Sequence, residues 1–84
     1  FNLQRSARFG FGEVDVRLHV VNGHIHSCTI YGDFFSNGDI SQLAGELQGI
    51  PYERQALATT IKGLGLEHYF PQLTPEEFLQ LLVD

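Results

Sequence analysis

The sequence predicts an α+β fold, in which an antiparallel β-hairpin or sheet is followed by about three helices packed on one face. Two observations carry this prediction. Apolar and polar residues alternate in the first half of the chain, at the period of a half-buried strand. In the second half the apolar residues recur every three or four positions, at the period of an amphipathic helix. The period changes within residues 31–40, which therefore form the joint between sheet and helices.

The size and composition are those of one small domain. A chain of 84 residues buries only a modest core. It has no apolar run long enough for a membrane span and no signal-peptide pattern, and its single cysteine cannot form an internal disulfide. We therefore expect a soluble, cytoplasmic protein. Because the chain begins at Phe1 and contains no methionine, we also expect it to be a segment of a longer polypeptide.

The net charge of −5 arises in the second half of the chain. Three arginines balance three carboxylates in residues 1–38, whereas seven carboxylates face only Arg54 and Lys62 in residues 39–84. No basic face is available to neutralise phosphates, so nucleic acid and anionic membranes are excluded as expected partners.

Residues 1–8 are polar and show no clear period, which is typical of a linker or an edge segment, and residues 9–84 form the single domain. Phe9, Gly10, Phe11 and Gly12 alternate aromatic residues with glycine. Glycines in a strand often mark a bulge or a close approach of the backbone.

A half-buried strand follows, in which alternate residues from Val14 to Val20 are apolar. Asn22-Gly23 suits a type I′ turn, so we predict an antiparallel partner over residues 24–31. A regular two-residue hairpin would turn Cys28 and Ile30 away from the core. We predict a bulge near His26 or Ser27, because a small core would otherwise lose both apolar side chains.

The joint itself contains Gly32, Asp33, Phe34, Phe35, Gly38 and Asp39. Its glycines tolerate positive φ, and its aspartates can bond to nearby backbone amides. Adjacent aromatic side chains in an extended chain point to opposite sides, so only one of the two phenylalanines easily reaches the core. Either a curled loop buries both rings, or one ring docks on another surface.

Three helices complete the predicted fold. Asp39 is the expected N-cap of the first, and Pro51 is expected to open the second. Residues 66–70 are expected to form a single turn. Thr74 with Glu77 is a capping-box signature for the last helix. The apolar positions that define these elements are Ile40, Leu43, Ala44, Leu47, Ala56, Leu57, Thr60, Ile61, Leu64, Leu66, Tyr69, Phe70, Phe78, Leu79, Leu81 and Leu82.

Residues that could carry chemistry are few. His19, His24 and His26 could approach a metal ion in the unbulged register, although the predicted bulge disturbs this alignment and solvated strand histidines are common. Cys28 could act as a nucleophile or sulfur carrier, but a buried apolar role is the more frequent one for a free cysteine. Asp33 and Asp39 could hold a cation or a water, yet capping explains them more simply. The sequence shows neither a nucleophile elbow nor a phosphate-binding signature.

The order of these motifs resembles the C-terminal accessory domain of the bacterial lipoate-protein ligase A family. The most specific piece is Gly32-Asp-Phe-Phe35 followed by Gly38-Asp39. The resemblance covers about residues 8 to 83 and rests on residues 8–12, 13–18, 21–23, 30–35, 37–40, 47–57, 68–70 and 74–82.

This resemblance implies that the chain is part of an ATP-dependent ligase and is not itself catalytic. In such ligases the catalytic domain binds ATP, Mg²⁺ and lipoate, forms lipoyl-adenylate, and transfers the lipoyl group to a lysine. The acceptors are lipoyl domains of 2-oxoacid dehydrogenases or the H protein of glycine cleavage. The resemblance also implies a fold similar to iron–sulfur scaffold and sulfur-acceptor proteins. Lys62, the only lysine here, fits neither a catalytic nor an acceptor role.

We expect the segments from Phe9 to Gly12 and from Gly32 to Phe35, with Gly38 and Asp39, to form the face that meets the catalytic domain, unless these segments merely complete the core. Two other functions stay open at this point. One is a sulfur-relay or scaffold protein that uses Cys28, and the other is a free-standing regulatory domain.

Overall fold

Three antiparallel strands in the order β1-β2-β3 form one sheet, and the helices pack on one of its faces. This confirms the predicted α+β class. The computed structural model describes residues 2–32, 39–70 and 72–83. The elements are β1 (Asn2–Phe9), β2 (Gly12–Val21), β3 (His24–Gly32), α1 (Ile40–Glu46), α2 (Arg54–Gly63), a 3₁₀ turn (Leu66–His68) and α3 (Pro75–Val83).

The hairpin between β2 and β3 has the predicted turn and the predicted bulge. Asn22 and Gly23 have φ angles of 53° and 77°, as a type I′ turn requires. Val20 pairs with Ile25, but His19 pairs with Ser27, so His26 is the extra residue. The bulge places Cys28 and Ile30 on the side of the sheet that faces the core.

The sheet contains a second hairpin, between β1 and β2, which was not predicted from the sequence. The two strands pair from Asn2 with His19 to Phe9 with Gly12, and Gly10 and Phe11 form the turn. β1 therefore lies at one edge of the sheet. Alternate β1 residues are half-buried against the helices, including Arg5, whose aliphatic stem suits a position at the margin of a core.

The core lies between the sheet and the helical layer. It contains aliphatic side chains from β2, β3 and every helix, together with the rings of Phe70 and Phe78. Among the described residues, the buried side chains of this cluster are those of Val14, Val16, Leu18, Val20, Ile25, Ile30, Leu43, Ala44, Leu47, Leu57, Ile61, Leu66, Phe70, Leu73, Phe78, Leu81 and Leu82. The predicted apolar positions of the last turn and helix are confirmed.

The prediction that Pro51 opens the second helix is wrong, because α2 begins at Arg54. Pro51 instead bridges to His24 at the start of β3. The amide nitrogens of Gly49 and Tyr52 donate to the carbonyl oxygens of Ile25 and Gly23, at 2.7 and 2.8 Å. These long-range backbone bonds hold the segment extended, so the helix starts only after it.

The helix caps agree with the sequence. The Asp39 carboxylate accepts a 3.0 Å hydrogen bond from the amide of Ser41 at the start of α1. At α3, the Glu77 amide donates to the Thr74 hydroxyl oxygen at 3.1 Å, and the Thr74 amide donates back to the Glu77 carboxylate at 3.0 Å. This is the reciprocal pairing of a capping box. Within the described residues, no helix is long and apolar enough to cross a membrane.

Candidate functional site

The face of the sheet opposite the helices is left uncovered by the described part of the chain. Along each strand, the residues between the core-facing positions point to this side. We call it the outer face. Apart from Val21, which is 42% exposed, its side chains carry polar or charged groups, and most of them are exposed. They include Gln4, Ser6, Arg8, Glu13, Asp15, Arg17, His19, Ser27, Thr29 and Tyr31.

Four of these side chains form a cluster near the middle of the outer face. The strand register pairs Asp15 of β2 with Tyr31 of β3, and Arg17, two residues further along β2, with Gln4 of β1. The Gln4 amide donates a 3.0 Å hydrogen bond to Oδ2 of Asp15, and Nη2 of Arg17 lies 3.7 Å from the same oxygen. The Arg17 guanidinium carbon lies 4.9 Å from the centre of the Tyr31 ring, in a cation–π contact.

The exposure of these side chains is uneven. Arg17 is 55% exposed and Tyr31 is 50% exposed, whereas the Asp15 side chain is only 19% exposed. Oδ1 of Asp15 is buried and has no hydrogen-bond partner in the described structure. Leaving such an acceptor unsatisfied costs about 1–3 kcal/mol. The cluster therefore presents an arginine and a tyrosine in contact with each other, beside a carboxylate with one oxygen unpaired among the described residues.

The residues expected to form a docking face lie at one end of the sheet, as far as they are described. Phe9 pairs with Gly12 and Val14 pairs with Gly32, which brings both predicted segments to this end. Asp33, Phe34, Phe35 and Gly38 lie outside the described residues. Asp39 is exposed and caps α1, and the hydrogen bonds from Ser41 lower the pKa of its carboxyl group.

The two aromatic residues of the first turn pack within the molecule. The rings of Phe9 and Phe11 stack with centroids 5.5 Å apart. Phe11 also lies 6.2 Å from the core ring of Phe70. Gly10 remains exposed at the tip of the hairpin. This end of the sheet is therefore anchored to the core by its aromatic rings, with the glycine backbone outermost.

The three histidines do not assemble into one group. The rings of His19 and His26 are 5.6 Å apart, and His19 contacts the side chain of Asn2. His24 instead lies beside the turn, with Nδ1 placed 3.0 Å from the carbonyl oxygen of Asn22. In residues 2–32, 39–70 and 72–83, no three His, Cys, Asp or Glu side chains are grouped to hold a metal ion.

Cys28 has the surroundings of a core residue rather than those of a reactive thiol. It lies on the core side of β3 and packs against the apolar cluster. Burial raises the pKa of its thiol to about 11. Because the thiolate is the nucleophilic form, this environment suppresses its reactivity at neutral pH.

The sequence analysis did not identify the cluster of Gln4, Asp15, Arg17 and Tyr31. Asp15, Arg17 and Tyr31 lie on the predicted hairpin of β2 and β3, whereas Gln4 joins them only through the pairing of β1. A weak signal was present, since Leu3, Ala7 and Phe9 alternate with polar residues. Arg5 interrupts the apolar positions of this pattern. The register of β1 against β2 therefore could not be read from the periodicity.

Comparison with known proteins gives consistent matches. Residues 1–82 match the family model described as "Bacterial lipoate protein ligase C-terminus". Lipoate-protein ligase LplJ of Bacillus subtilis is 44% identical over 82 residues, which are 98% of this chain and 25% of that protein. A lipoate–protein ligase of Streptococcus pyogenes is 37% identical over 98% of this chain and 24% of its own length. The chain thus spans about a quarter of these relatives.

The fold also matches a solved structure with a TM-score of 0.80 and 24% sequence identity. That structure is described as a bi-partite lipoate protein ligase and its E2 lipoyl domain from Thermoplasma acidophilum. The match covers 98% of this chain and 94% of the archaeal one, so the two chains are nearly equal in length.

Proposed function

This chain belongs to the family of bacterial lipoate protein ligase C-terminal domains, and we propose that it acts as the accessory domain of an ATP-dependent ligase. In this proposal it packs on the catalytic domain and supports both the formation of lipoyl-adenylate and the transfer of the lipoyl group to an acceptor lysine. The observation that carries the proposal is the family match over residues 1–82, combined with relatives that are about four times as long.

The proposed partners are the catalytic domain of the same ligase and a lipoyl-acceptor domain. The description of the archaeal neighbour, which pairs a bi-partite ligase with an E2 lipoyl domain, supports both. Acceptors of this kind are the lipoyl domains of 2-oxoacid dehydrogenases and the H protein of glycine cleavage. ATP, Mg²⁺ and lipoate are assigned to the catalytic domain, and the reaction is placed in the cytoplasm.

In this proposal the domain acts by changing its position relative to the catalytic domain. An acyl-adenylate is hydrolysed readily, so a domain that closes over it protects it by excluding water. A domain that changes orientation can then expose the adenylate to the acceptor lysine, which separates the two half-reactions in time. The end of the sheet formed by Phe9–Gly12 and Gly32 is proposed to meet the catalytic domain, together with the neighbouring residues up to Asp39.

The packing of the first hairpin supports this proposed role. Phe9 and Phe11 anchor the exposed Gly10 turn to the core through Phe70. The backbone at the tip can thus approach a partner closely while the aromatic rings hold its position.

The test is lipoylation of an acceptor domain by the whole ligase, by the ligase lacking this segment, and by the shortened ligase with the segment added as a separate chain. We expect deletion to slow the reaction and addition to restore part of the rate. The near-equal length of the archaeal chain supports the use of a separate segment. Unchanged lipoylation by the shortened ligase would contradict the accessory role.

The sulfur-relay alternative has less support. It requires an accessible thiolate, whereas burial of Cys28 raises the pKa of its thiol to about 11. No observation favours a free-standing regulatory role over that of a ligase domain.

A further inference from the structure

We propose that the outer face of the sheet is the surface on which the rest of the ligase docks, with Arg17 and Tyr31 at its centre. This inference rests on the proposed function, because it takes the catalytic part of the same polypeptide as the occupant. In this proposal the contact covers the outer face and is continuous with the end of the sheet that contains Gly10 and Gly32.

The occupant is identified first by the length of the relatives. The matched ligases have about three quarters of their length outside the segment that this chain matches. Within this chain, the helices already cover one face of the sheet, and the two layers share one apolar core. The opposite face of the sheet is open among the described residues and is available to a neighbouring domain.

The distribution of charge points to the same side. Among the described residues, the helical layer carries four net negative charges, from Asp39, Glu46, Glu53, Glu67, Glu76 and Glu77 against Arg54 and Lys62. The charged side chains of the outer face balance, with Arg8 and Arg17 against Glu13 and Asp15. Because the outer face carries no net charge among these residues, a neighbouring domain of either sign of charge meets no net repulsion there.

The chemistry at the centre of the face is that of a binding surface. Tyrosine and arginine are the residues that most often dominate the energy of protein interfaces. Here Tyr31 is 50% exposed although it is a large aromatic residue. Arg17 is held over its ring at 4.9 Å and is paired with Asp15 at 3.7 Å. Both side chains are therefore partly ordered before a partner arrives, which lowers the entropy lost on docking.

Asp15 provides a polar contact that is still incomplete. Its Oδ2 accepts from Gln4, but its buried Oδ1 has no partner among the described residues. In this proposal a donor of the docked domain reaches this oxygen. Docking then satisfies an acceptor that is costly to leave unpaired.

The size of the face suits a contact within one polypeptide. Three strands of eight to ten residues present on the order of 400 Å² in projection, from the spacing between strands and the rise per residue. The two surfaces together then bury on the order of 800 Å², within the range of interfaces between domains that move relative to one another. A contact of this size holds a tethered domain and still permits it to reorient.

The proposal is tested by cysteine footprinting of the intact ligase. Thr29→Cys places a thiol on the outer face, and Gln55→Cys places one on the exposed side of α2 as the matched control. The two wild-type residues are both exposed in this domain. The rate of alkylation by iodoacetamide is measured at each site by mass spectrometry, and is divided by the rate at the same site in urea to remove intrinsic differences.

We expect the normalised rate at Thr29→Cys to be several-fold below that at Gln55→Cys. Adding Tyr31→Ser, a neutral change at an exposed position, should raise the rate at Thr29→Cys towards that of the control. Ser27→Cys is a second probe on the same face in case Thr29→Cys destabilises β3. Equal normalised rates at the outer-face probes and at Gln55→Cys would overturn the proposal.

The same measurement distinguishes the catalytic domain from other partners that could cover the outer face. Protection that weakens on dilution of the ligase would assign the face to a second copy of the chain and overturn the proposal. Protection that arises only when an acceptor domain is added would overturn it as well. Footprinting does not depend on turnover, so it tests docking separately from the accessory activity. Protection without an effect on lipoylation would contradict only the proposed function. An effect on lipoylation without protection would contradict only the docking surface.

Discussion

The hydroxyl of Tyr52 donates a 2.8 Å hydrogen bond to the carbonyl oxygen of Leu82. Leu82 lies in the last turn of α3, where backbone carbonyls lack partners within the helix. The Tyr52 amide in turn donates to the carbonyl of Gly23 in the turn of the second hairpin. One residue thus links the end of the last helix to the far end of the sheet.

Replacing Tyr52 with phenylalanine removes this bond and keeps the ring. We expect the free energy of unfolding to fall by about 1 kcal/mol, the usual net worth of one such hydrogen bond. Urea unfolding measures the change. Tyr69→Phe is the control, since the half-buried Tyr69 side chain has no hydrogen bond to another described residue, and its stability should stay close to that of the wild type.

The capping box at α3 gives a second prediction. Thr74→Ala should lower the free energy of unfolding by about 1 kcal/mol, because the Glu77 amide loses the hydroxyl oxygen that it bonds at 3.1 Å. Glu77→Gln should be milder, since glutamine also serves at this position. The control is Thr59→Ala on the exposed side of α2, where alanine favours the helix. A Thr74→Ala variant as stable as wild type in thermal unfolding would contradict the role of the box.

The buried thiol predicts a pH dependence. Because burial raises the pKa of Cys28 from 9.0 to about 11, the protonated thiol contributes to stability fully below pH 9. That contribution is lost as the pH rises through the folded pKa of about 11. The stability of wild type should therefore fall more steeply between these pH values than that of Cys28→Ala. Iodoacetamide should also label folded Cys28 slowly at pH 7, and rapid labelling would revive a nucleophilic role.

Gly65 tests a backbone requirement. It precedes the 3₁₀ turn with a φ of 65°, and an added Cβ would also lie 2.9 Å from the His68 ring. Gly65→Ala should cost roughly 1–2 kcal/mol, mostly from the left-handed backbone because the exposed His68 ring can move. Gly45→Ala, inside α1 and with open space around its Cβ position, should instead stabilise the domain by about 0.5–1 kcal/mol. Equal effects of the two substitutions in urea unfolding would contradict this account.

The features that the sequence predicted correctly are those that local chemistry decides. Asn22-Gly23 admits the two positive φ angles of its turn, and Thr74 with Glu77 can satisfy each other without distant partners. The bulge at His26 followed from the need to keep Cys28 and Ile30 on the apolar side.

The features that the sequence did not predict depend on distant partners. Pro51 looks like a helix start, but bonds from Gly49 and Tyr52 to the second hairpin hold its segment extended. β1 is an edge strand with only half-buried core-facing positions, and one of them is Arg5, so its alternation is weak. Gln4 reaches Asp15 only once β1 is in register, whereas Arg17 and Tyr31 meet across the predicted hairpin of β2 and β3.

This domain is proposed to support the chemistry of the ligase, and the most direct test is the first half-reaction. Lipoyl-adenylate formation should be followed in a single turnover by the whole ligase, by the ligase without this segment, and by the shortened ligase with the segment added. We predict that deletion slows the step by at least about tenfold, equivalent to about 1.4 kcal/mol of barrier, and that addition restores part of the rate. An unchanged rate of adenylate formation after deletion would contradict the claim.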